Sequence, residues 1–161
     1  MNITEIFNEN INLHKKFMSI DNNLAQIHNI AEIIVQCYQN NNKVLLCGNG
    51  GSAADAQHLA AELSGKFAFD RPPLYAEALH CNTSYITAVA NDYSYNQIYS
   101  RLINANGKPN DILIALSTSG NSPNIIEAIK TANNKKMITI GLTGNTGGMM
   151  NNICHHIIKI P

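Results

Sequence analysis

The sequence predicts an α/β fold, a three-layer α/β/α sandwich built on a five-stranded parallel sheet. Five short apolar runs are bounded by turn residues, and most are separated by segments with the three-to-four-residue apolar spacing of amphipathic helices. The runs are apolar almost throughout rather than alternating, which is typical of parallel strands that are buried on both faces.

Two amphipathic helices are predicted at the start of the chain, in a segment of about residues 1–40. Apolar residues recur every three or four positions through residues 3–17 and again through residues 24–38. Polar residues 21–23 separate the two stretches, and the asparagines at 40–42 end the second helix.

Strands and helices are then predicted in alternation. The expected strands are 43–47, 74–79, 111–116, 137–142 and 156–160, and the expected helices are 52–64, 93–105 and 123–133. We found no internal repeat and no interior linker, so residues 1–161 are expected to form a single domain with an N-terminal helical segment.

Charge and composition argue against several classes of function. The 11 basic and 11 acidic side chains balance, whereas nucleic-acid binding usually needs a basic excess. No run approaches the roughly 20 apolar residues of a membrane helix, and the N-terminus lacks the apolar centre of a signal peptide. We therefore expect a cytoplasmic protein without a nucleic-acid or membrane partner. Its four scattered cysteines are expected to be buried, reduced thiols.

The first candidate binding loop is the sequence CGNGGS at residues 47–52. Ligands of open parallel sheets bind beyond the carboxyl ends of the strands, and glycines let the backbone approach a ligand at a helix start. Residues 48–53 fit the dinucleotide pattern G-x-G-x-x-A, but residues 79–82 at the next strand end contain no acid. A nicotinamide or flavin cofactor is therefore disfavoured, and both a ligand-binding turn and a simple glycine-rich turn stay open.

The second candidate loop is the sequence STSGNSP at residues 117–123. Four hydroxyl side chains directly after an apolar strand are suited to hydrogen-bond phosphate oxygens without a lysine or arginine. Ser122 is expected to cap the next helix, with Pro123 at its first position. Capping alone would need one hydroxyl, so phosphate binding is the favoured interpretation.

Two further features carry groups suited to catalysis or sugar binding. His58 and Glu62 are four residues apart on a predicted helix, so they share a face and could ligate one divalent metal or act as an acid/base pair. An ordinary surface pair is the alternative. Asn91 and Asp92 lie in the third loop, where Asp92 either contacts a ligand or caps the predicted helix 93–105.

Four segments resemble, in the same order, those of the sugar isomerase (SIS) domain family, in its phosphoheptose isomerase branch. They read CGNGGSAADAQHLAAELSGKF, VANDYSYNQIYSR, DILIALSTSGNSPNIIEAIK and GLTGNTGGMM. STSGNS alone indicates any phosphosugar SIS domain, whereas H-x-x-x-E together with AND is typical of the heptose branch. The resemblance covers essentially the whole chain and implies a flavodoxin-like parallel sheet.

The resemblance also implies a role for each candidate residue. The family would isomerise sedoheptulose 7-phosphate to D-glycero-D-manno-heptose 7-phosphate through an enediol, for surface polysaccharide synthesis, in homotetramers with active sites at subunit interfaces. Glu62 would be the catalytic base, and His58 and Glu62 would be two ligands of a zinc ion. The substrate-binding residues would be Asn49, Gly50, Gly51, Ser52, Asn91, Asp92, Ser117, Thr118, Ser119 and Ser122.

Three departures from the family pattern affect these expectations. The family continues into a C-terminal helix whose glutamine and histidine complete the metal site. The remaining zinc ligands are expected from such a helix, which this chain does not contain. Lys66 stands where many relatives have arginine, which keeps the charge but loses a bidentate donor. Asn82 stands where many relatives have aspartate, which would alter sugar contacts slightly.

Two alternatives without catalysis stay open. A paralogue that binds the bacterial replication initiator shares the glycine-rich loop, but Glu62 and Ser119 match the isomerase rather than that paralogue. A phosphosugar-sensing SIS module would bind the sugar phosphate without turnover. The enzyme interpretation depends on one geometric expectation, namely that His58 and Glu62 face the same hollow as the hydroxyl-rich loop.

Overall fold

The computed structural model of the chain describes residues 2–161, and this range contains one five-stranded sheet. All neighbouring strands pair in parallel, in the order β2-β1-β3-β4-β5, which confirms the predicted α/β class and is the flavodoxin-like order. The strands are β1 (Val44–Cys47), β2 (Ala76–Ala78), β3 (Ile112–Ser117), β4 (Ile138–Gly144) and β5 (His156–Ile160).

Helices cover both faces of the sheet and bury the two sides of each central strand. They are α1 (Ile3–Ser19), α2 (Asn23–Gln39), α3 (Gly51–Ser64), α4 (Thr83–Asp92), α5 (Ile98–Asn106) and α6 (Pro123–Asn134). Leu46 and Ile114 pack with the side chains of α2 and α3, whereas Leu45 and Leu113 pack with those of α4, α5 and α6. This burial on both faces explains why the strands read as continuous apolar runs.

The region between β2 and β3 differs from the prediction. The predicted helix 93–105 is a 3-10 turn, Tyr95–Gln97, followed by α5, and α4 precedes it. The side chain of Asn82 caps α4 by accepting a hydrogen bond from the Tyr85 amide at 2.9 Å. The alternative that Asp92 caps a helix is wrong, because Asp92 is the last residue of α4.

The first helix is stabilised at its start but leaves its apolar side uncovered. Asn2 and Glu5 form a reciprocal capping box at the N-terminus of α1. Between Ile3 and Ser19 the helix has no buried residue, and Ile3 and Phe7 are 72% and 67% exposed. An exposed apolar stripe of this kind on a regular helix is typical of an interaction surface.

The amino-terminal ends of β1 and β3 are held together by a buried carboxylate. The Lys43 ammonium donates to Asp111 at 2.6 Å, and the Asp111 carboxylate also accepts from the Asn42 side chain and the Lys108 amide. Burial opposes the charged form of Asp111, but these hydrogen bonds outweigh burial and lower the pKa of the carboxyl group. Asp111 therefore ties the starts of β1 and β3 together.

The four cysteines are all free thiols, as predicted. Burial raises the pKa of the Cys37 thiol to about 11 and also raises that of Cys47. The expectation that all four are buried is wrong for Cys81, which is exposed, while Cys154 is partly buried. Among residues 2–161, none of the helices combines the length and apolar character needed to cross a membrane.

Candidate functional site

The candidate site is a crevice at the carboxyl ends of β1 and β3. The chain leaves β1 toward β2 on one side and continues from β3 toward β4 on the other, so the strand order reverses between these neighbours. The loops after both strands enclose a cavity of about 240 Å³, lined by Asn49, Ser52, Leu116, Ser117, Thr118, Ser119 and Ser122. Both predicted binding loops therefore meet at one crevice.

The glycine-rich turn brings the backbone close to this crevice. A Cβ atom on Gly48 would overlap the carbonyl of Ser52, so only glycine fits there. Gly50 has a φ of +55°, which L side chains rarely adopt. Gly50 and Gly51 shape the turn and the start of α3, but neither is among the residues that line the cavity.

The side chains of the hydroxyl-rich loop lie near the N-terminus of α6. The Oγ atoms of Ser117 and Ser122 are 3.0 Å apart, and the Ser119 Oγ accepts a hydrogen bond from the Asn121 amide at 3.2 Å. Pro123 is at the first helical position, as predicted. Ser122 is the N-cap residue of α6, as predicted, but its side chain makes no capping hydrogen bond, because its hydroxyl pairs with Ser117 instead.

The turn after β4 packs against the hydroxyl-rich loop and stabilises it. Gly120 has a φ of +66°, and a Cβ atom there would overlap the Gly147 carbonyl. The Asn121 side chain accepts from the Met149 amide at 2.9 Å, and the Thr118 carbonyl accepts from the Gly144 amide at 3.0 Å. This contact was not predicted from the sequence.

Three residues that the sequence analysis missed fix the glycine-rich turn. The Asn49 side chain pairs with that of Asn124, and the Tyr95 hydroxyl also donates to Asn49. The buried Tyr99 hydroxyl donates to the Gly48 carbonyl, and burial raises the pKa of Tyr99, which keeps it protonated as a donor. Within the sequence, the only hint was a polar Asn124 one position inside an otherwise apolar helix start.

The His58–Glu62 pair lies on the outer face of α3. Its Nε2 and Oε1 atoms are 3.4 Å apart, and the two side chains are 73% and 36% exposed. The buried residues Ala56 and Ala60 face the sheet. His58 is two residues from each, so it lies about 200° around the helix from both, on the far side.

The expectation that His58 and Glu62 face the same hollow as the hydroxyl-rich loop is therefore wrong. Neither residue lines the cavity. A rise of about 1.5 Å per residue places them about 9 and 15 Å along α3 from Ser52. Their spacing is also not distinctive, because His28 and Glu32 form the same kind of exposed pair on α2, at 3.3 Å.

Asn91 and Asp92 also lie outside the cavity. Both are exposed at the end of α4, and the Asn91 amide donates to the Asp92 carboxylate at 2.9 Å.

A second cavity of about 490 Å³ adjoins the first, since both are lined by Ser52, Leu116 and Thr118. The crevice therefore continues across the ends of β4 and β5.

The residues that the structure describes supply too few ligands for a metal site. Imidazole nitrogen and carboxylate oxygen are ligands that zinc accepts, and His58 and Glu62 are close enough to share one ion. Zinc sites in proteins use three or four protein ligands. Among residues 2–161, no group of three or more His, Cys, Asp or Glu side chains is close enough to hold a metal ion. These residues do not by themselves fit a zinc centre, and we derive no catalytic step through one.

Comparisons with known proteins agree on one family. A model of the SIS domain matches residues 7–144. The phosphoheptose isomerase of Aneurinibacillus thermoaerophilus is 48% identical over 151 residues, which are 94% of this chain and 76% of that relative. The phosphoheptose isomerase structures from Francisella tularensis and Neisseria gonorrhoeae superpose with TM-scores of 0.92 and 0.91 at 36% and 39% identity. Each match covers 99% of this chain and 84% of the other.

Proposed function

The chain belongs to the phosphoheptose isomerase family of SIS-domain proteins, and we propose that it converts sedoheptulose 7-phosphate to D-glycero-D-manno-heptose 7-phosphate. The observation that carries this proposal is the crevice at the β1/β3 switch point, where hydroxyl side chains and two helix starts surround one small cavity. The residues that line this cavity supply uncharged hydrogen-bond donors, which can bind a phosphate monoester.

The phosphate group binds between the hydroxyl-rich loop and the starts of α3 and α6. Ser117, Thr118, Ser119 and Ser122 supply hydroxyl donors, and the helix starts supply free amides and the positive ends of the helix dipoles. The residues that line this cavity include no lysine or arginine. Neutral donors hold the dianion without an ion pair and leave the sugar end free to extend along the crevice.

Glu62 acts as the base of the isomerisation. Interconversion of a 2-ketose and an aldose removes a proton from C1 and returns it to C2 through an enediol, and one carboxylate on the correct side of the substrate can carry that proton. His58, at 3.4 Å from Glu62, orients the carboxylate. Asn91 and Asp92 contact the sugar hydroxyls.

The active site is shared between protomers of a homotetramer. Glu62 faces away from the cavity of its own protomer, so it serves the cavity of a neighbouring one. Exposed apolar side chains on α1 and α2, among them Phe7, Ile11 and Leu24, support assembly through these helices. Assembly therefore brings Glu62 close to a cavity, which the fold of a single protomer does not do.

Zinc is part of this proposal, with His58 and Glu62 as two of its ligands. The free thiols support a reducing compartment, the cytoplasm. The product would serve heptose synthesis for lipopolysaccharide or capsule.

The test is turnover of sedoheptulose 7-phosphate, followed by NMR. Wild type is expected to form the aldose, and Glu62→Gln is expected to abolish turnover while the Kd for the substrate changes less than about threefold, since the phosphate grip is intact. Glu32→Gln is the matched control, because Glu32 pairs with His28 at the same spacing on α2 and is expected to keep wild-type turnover. Wild-type rates in Glu62→Gln would remove Glu62 from its role.

A second function, phosphosugar binding without turnover, is favoured by one observation, the outward direction of Glu62 in a single protomer. It predicts a measurable Kd for sedoheptulose 7-phosphate and no product with the wild-type protein. The same NMR experiment therefore separates the two functions.

A further inference from the structure

Asn49 and Asn124 form a reciprocal pair of side-chain hydrogen bonds across the crevice. The Asn49 amide nitrogen donates to the Asn124 oxygen at 2.9 Å, and the Asn124 amide nitrogen donates to the Asn49 oxygen at 2.8 Å. Asn49 belongs to the glycine-rich turn after β1, and Asn124 to the first turn of α6. The pair thus joins the two loops that enclose the cavity.

The backbone fixes the orientation of both amides. The Ile125 amide donates to the Asn124 side-chain oxygen at 3.0 Å, and a backbone amide can only donate, so that atom must be the oxygen. The Asn124 nitrogen then points to Asn49, which must present its own oxygen. The Tyr95 hydroxyl, 3.3 Å from that oxygen, is consequently the donor in a third hydrogen bond.

This network leaves a defined set of groups for the ligand. The Asn49 oxygen is occupied by Asn124 and Tyr95, and one of its two amide protons by Asn124. Asn49 lines the cavity, whereas Asn124 is 2% exposed and does not. The second amide proton of the Asn49 side chain remains as a donor to a ligand, and Asn124 sets where it points.

We propose that Asn124 is a positioning residue, which holds Asn49 in register with the hydroxyl-rich loop so that both loops grip one phosphate group. The inference rests on the proposed function, because it concerns the same phosphate site. Asn124 does not touch the substrate and acts only through Asn49. Binding energy of this kind is equal in the ground state and the transition state, so its loss raises KM and leaves kcat.

The test compares Asn124→Ala with Asn133→Ala. Asn133 is on the last turns of the same α6, is half-buried, and also makes two side-chain hydrogen bonds to other elements, with Ile153 and Thr139. Both variants are expected to lower the Tm. Asn124→Ala is expected to raise KM for sedoheptulose 7-phosphate about fivefold to tenfold with kcat within about twofold, and Asn133→Ala to leave both unchanged.

Repetition in an Asn49→Ala background separates positioning from a general structural effect. If Asn124 acts through Asn49, Asn124→Ala adds less than about a twofold change once the Asn49 side chain is gone. An unchanged KM in the single variant, or the same factor in both backgrounds, would overturn the inference. If Asn124→Ala does not fold, Asn124→Ser replaces it, because the serine hydroxyl can still accept from a first-turn amide of α6 but is too short to pair with Asn49; the same rise in KM is expected in the wild-type background and less than about a twofold change in the Asn49→Ala background. An equal effect in both, or none in wild type, would overturn it as well.

Failure of the proposed function gives a different result. A wild-type protein that binds sedoheptulose 7-phosphate but forms no product contradicts the isomerase, and the same comparisons made with Kd still decide the role of Asn124.

Discussion

The hydroxyl oxygens of Ser117 and Ser122 lie 3.0 Å apart, one at the end of β3 and the other at the start of α6. Only one proton can lie between two hydroxyls, so the other proton is free to donate to an anion in the cavity that both residues line. The contact therefore presents a donor without any charged side chain.

Substitution of Ser122 should weaken binding more than folding. Ser122→Ala is expected to raise KM for the sugar phosphate roughly tenfold to a hundredfold, the equivalent of about one hydrogen bond to a charged group, and Ser119→Ala should act in the same direction. The Tm should change little, since the Ser122 hydroxyl does not cap α6. Ser100→Ala, which removes a hydroxyl on α5 that donates to the Gln97 carbonyl, is the control. An unchanged KM in both site variants would show that this loop is only a turn.

The Lys43–Asp111 pair should be a major source of stability. Asp111 is 1% exposed, and Lys43→Met would leave its charge without a counterion, at an expected cost of about 3 kcal/mol in the free energy of unfolding. Lys130→Met, which breaks the exposed pair with Glu127, should cost no more than about 0.5 kcal/mol. Denaturant unfolding measures both, and equal costs would contradict the importance of the buried pair.

The same carboxylate predicts a dependence of stability on pH. Its pKa is lower in the folded state than in the unfolded chain, so its contribution is fully present above the unfolded value, about 4, and is lost as the pH falls through the folded value. The free energy of unfolding should decline below about pH 4. Asp111→Asn should flatten this part of the profile, and an unaltered slope would assign the decline to other groups.

Two glycines should respond oppositely to alanine. Gly120→Ala forces a side chain onto the Gly147 carbonyl at a φ of +66°, and is expected to cost more than about 2 kcal/mol in the free energy of unfolding. Gly51→Ala meets no atom within 4 Å in the first turn of α3, and should be neutral or slightly stabilising. Thermal unfolding of both variants tests whether the turn after β4 braces the hydroxyl-rich loop.

The apolar side of α1 should control assembly. Phe7→Glu is expected to shift the protein toward smaller oligomers in sedimentation velocity and to lower turnover, because Glu62 and the cavity would come from different protomers. Asn12→Glu, about 140° around the helix from Phe7, adds the same charge on another face and should not. A Phe7→Glu variant that remains assembled, or that dissociates with full turnover, would contradict a shared site.

The sequence predicted the features that depend on local pattern. Continuous apolar runs located the five strands, and the hydroxyl cluster located the loop that lines the cavity, because both are properties of consecutive residues. Helix α4 was missed because residues 83–92 are rich in β-branched and apolar residues, and its start depends on the Asn82 cap. The Asn49–Asn124 pair joins residues 75 positions apart, so only the fold could bring it to notice.

The direction of His58 and Glu62 was mispredicted for another reason. Spacing places both on one face of α3 but does not say which face packs against the sheet. The small side chains Ala56 and Ala60 carried that information, since they allow close packing on the sheet. Glu62 was thereby assigned to the crevice of its own chain, whereas the structure places it on the outer face of α3.

Deuterium exchange in D2O tests the isomerase assignment most directly. An enediol intermediate places the transferred hydrogen on a group that exchanges with solvent, so wild type should introduce deuterium at C1 of sedoheptulose 7-phosphate and at C2 of the aldose, while Glu62→Gln should introduce none. Binding of the sugar phosphate to wild type with neither exchange nor product, in the assembled protein with zinc supplied, would contradict the account and leave a phosphosugar-binding module.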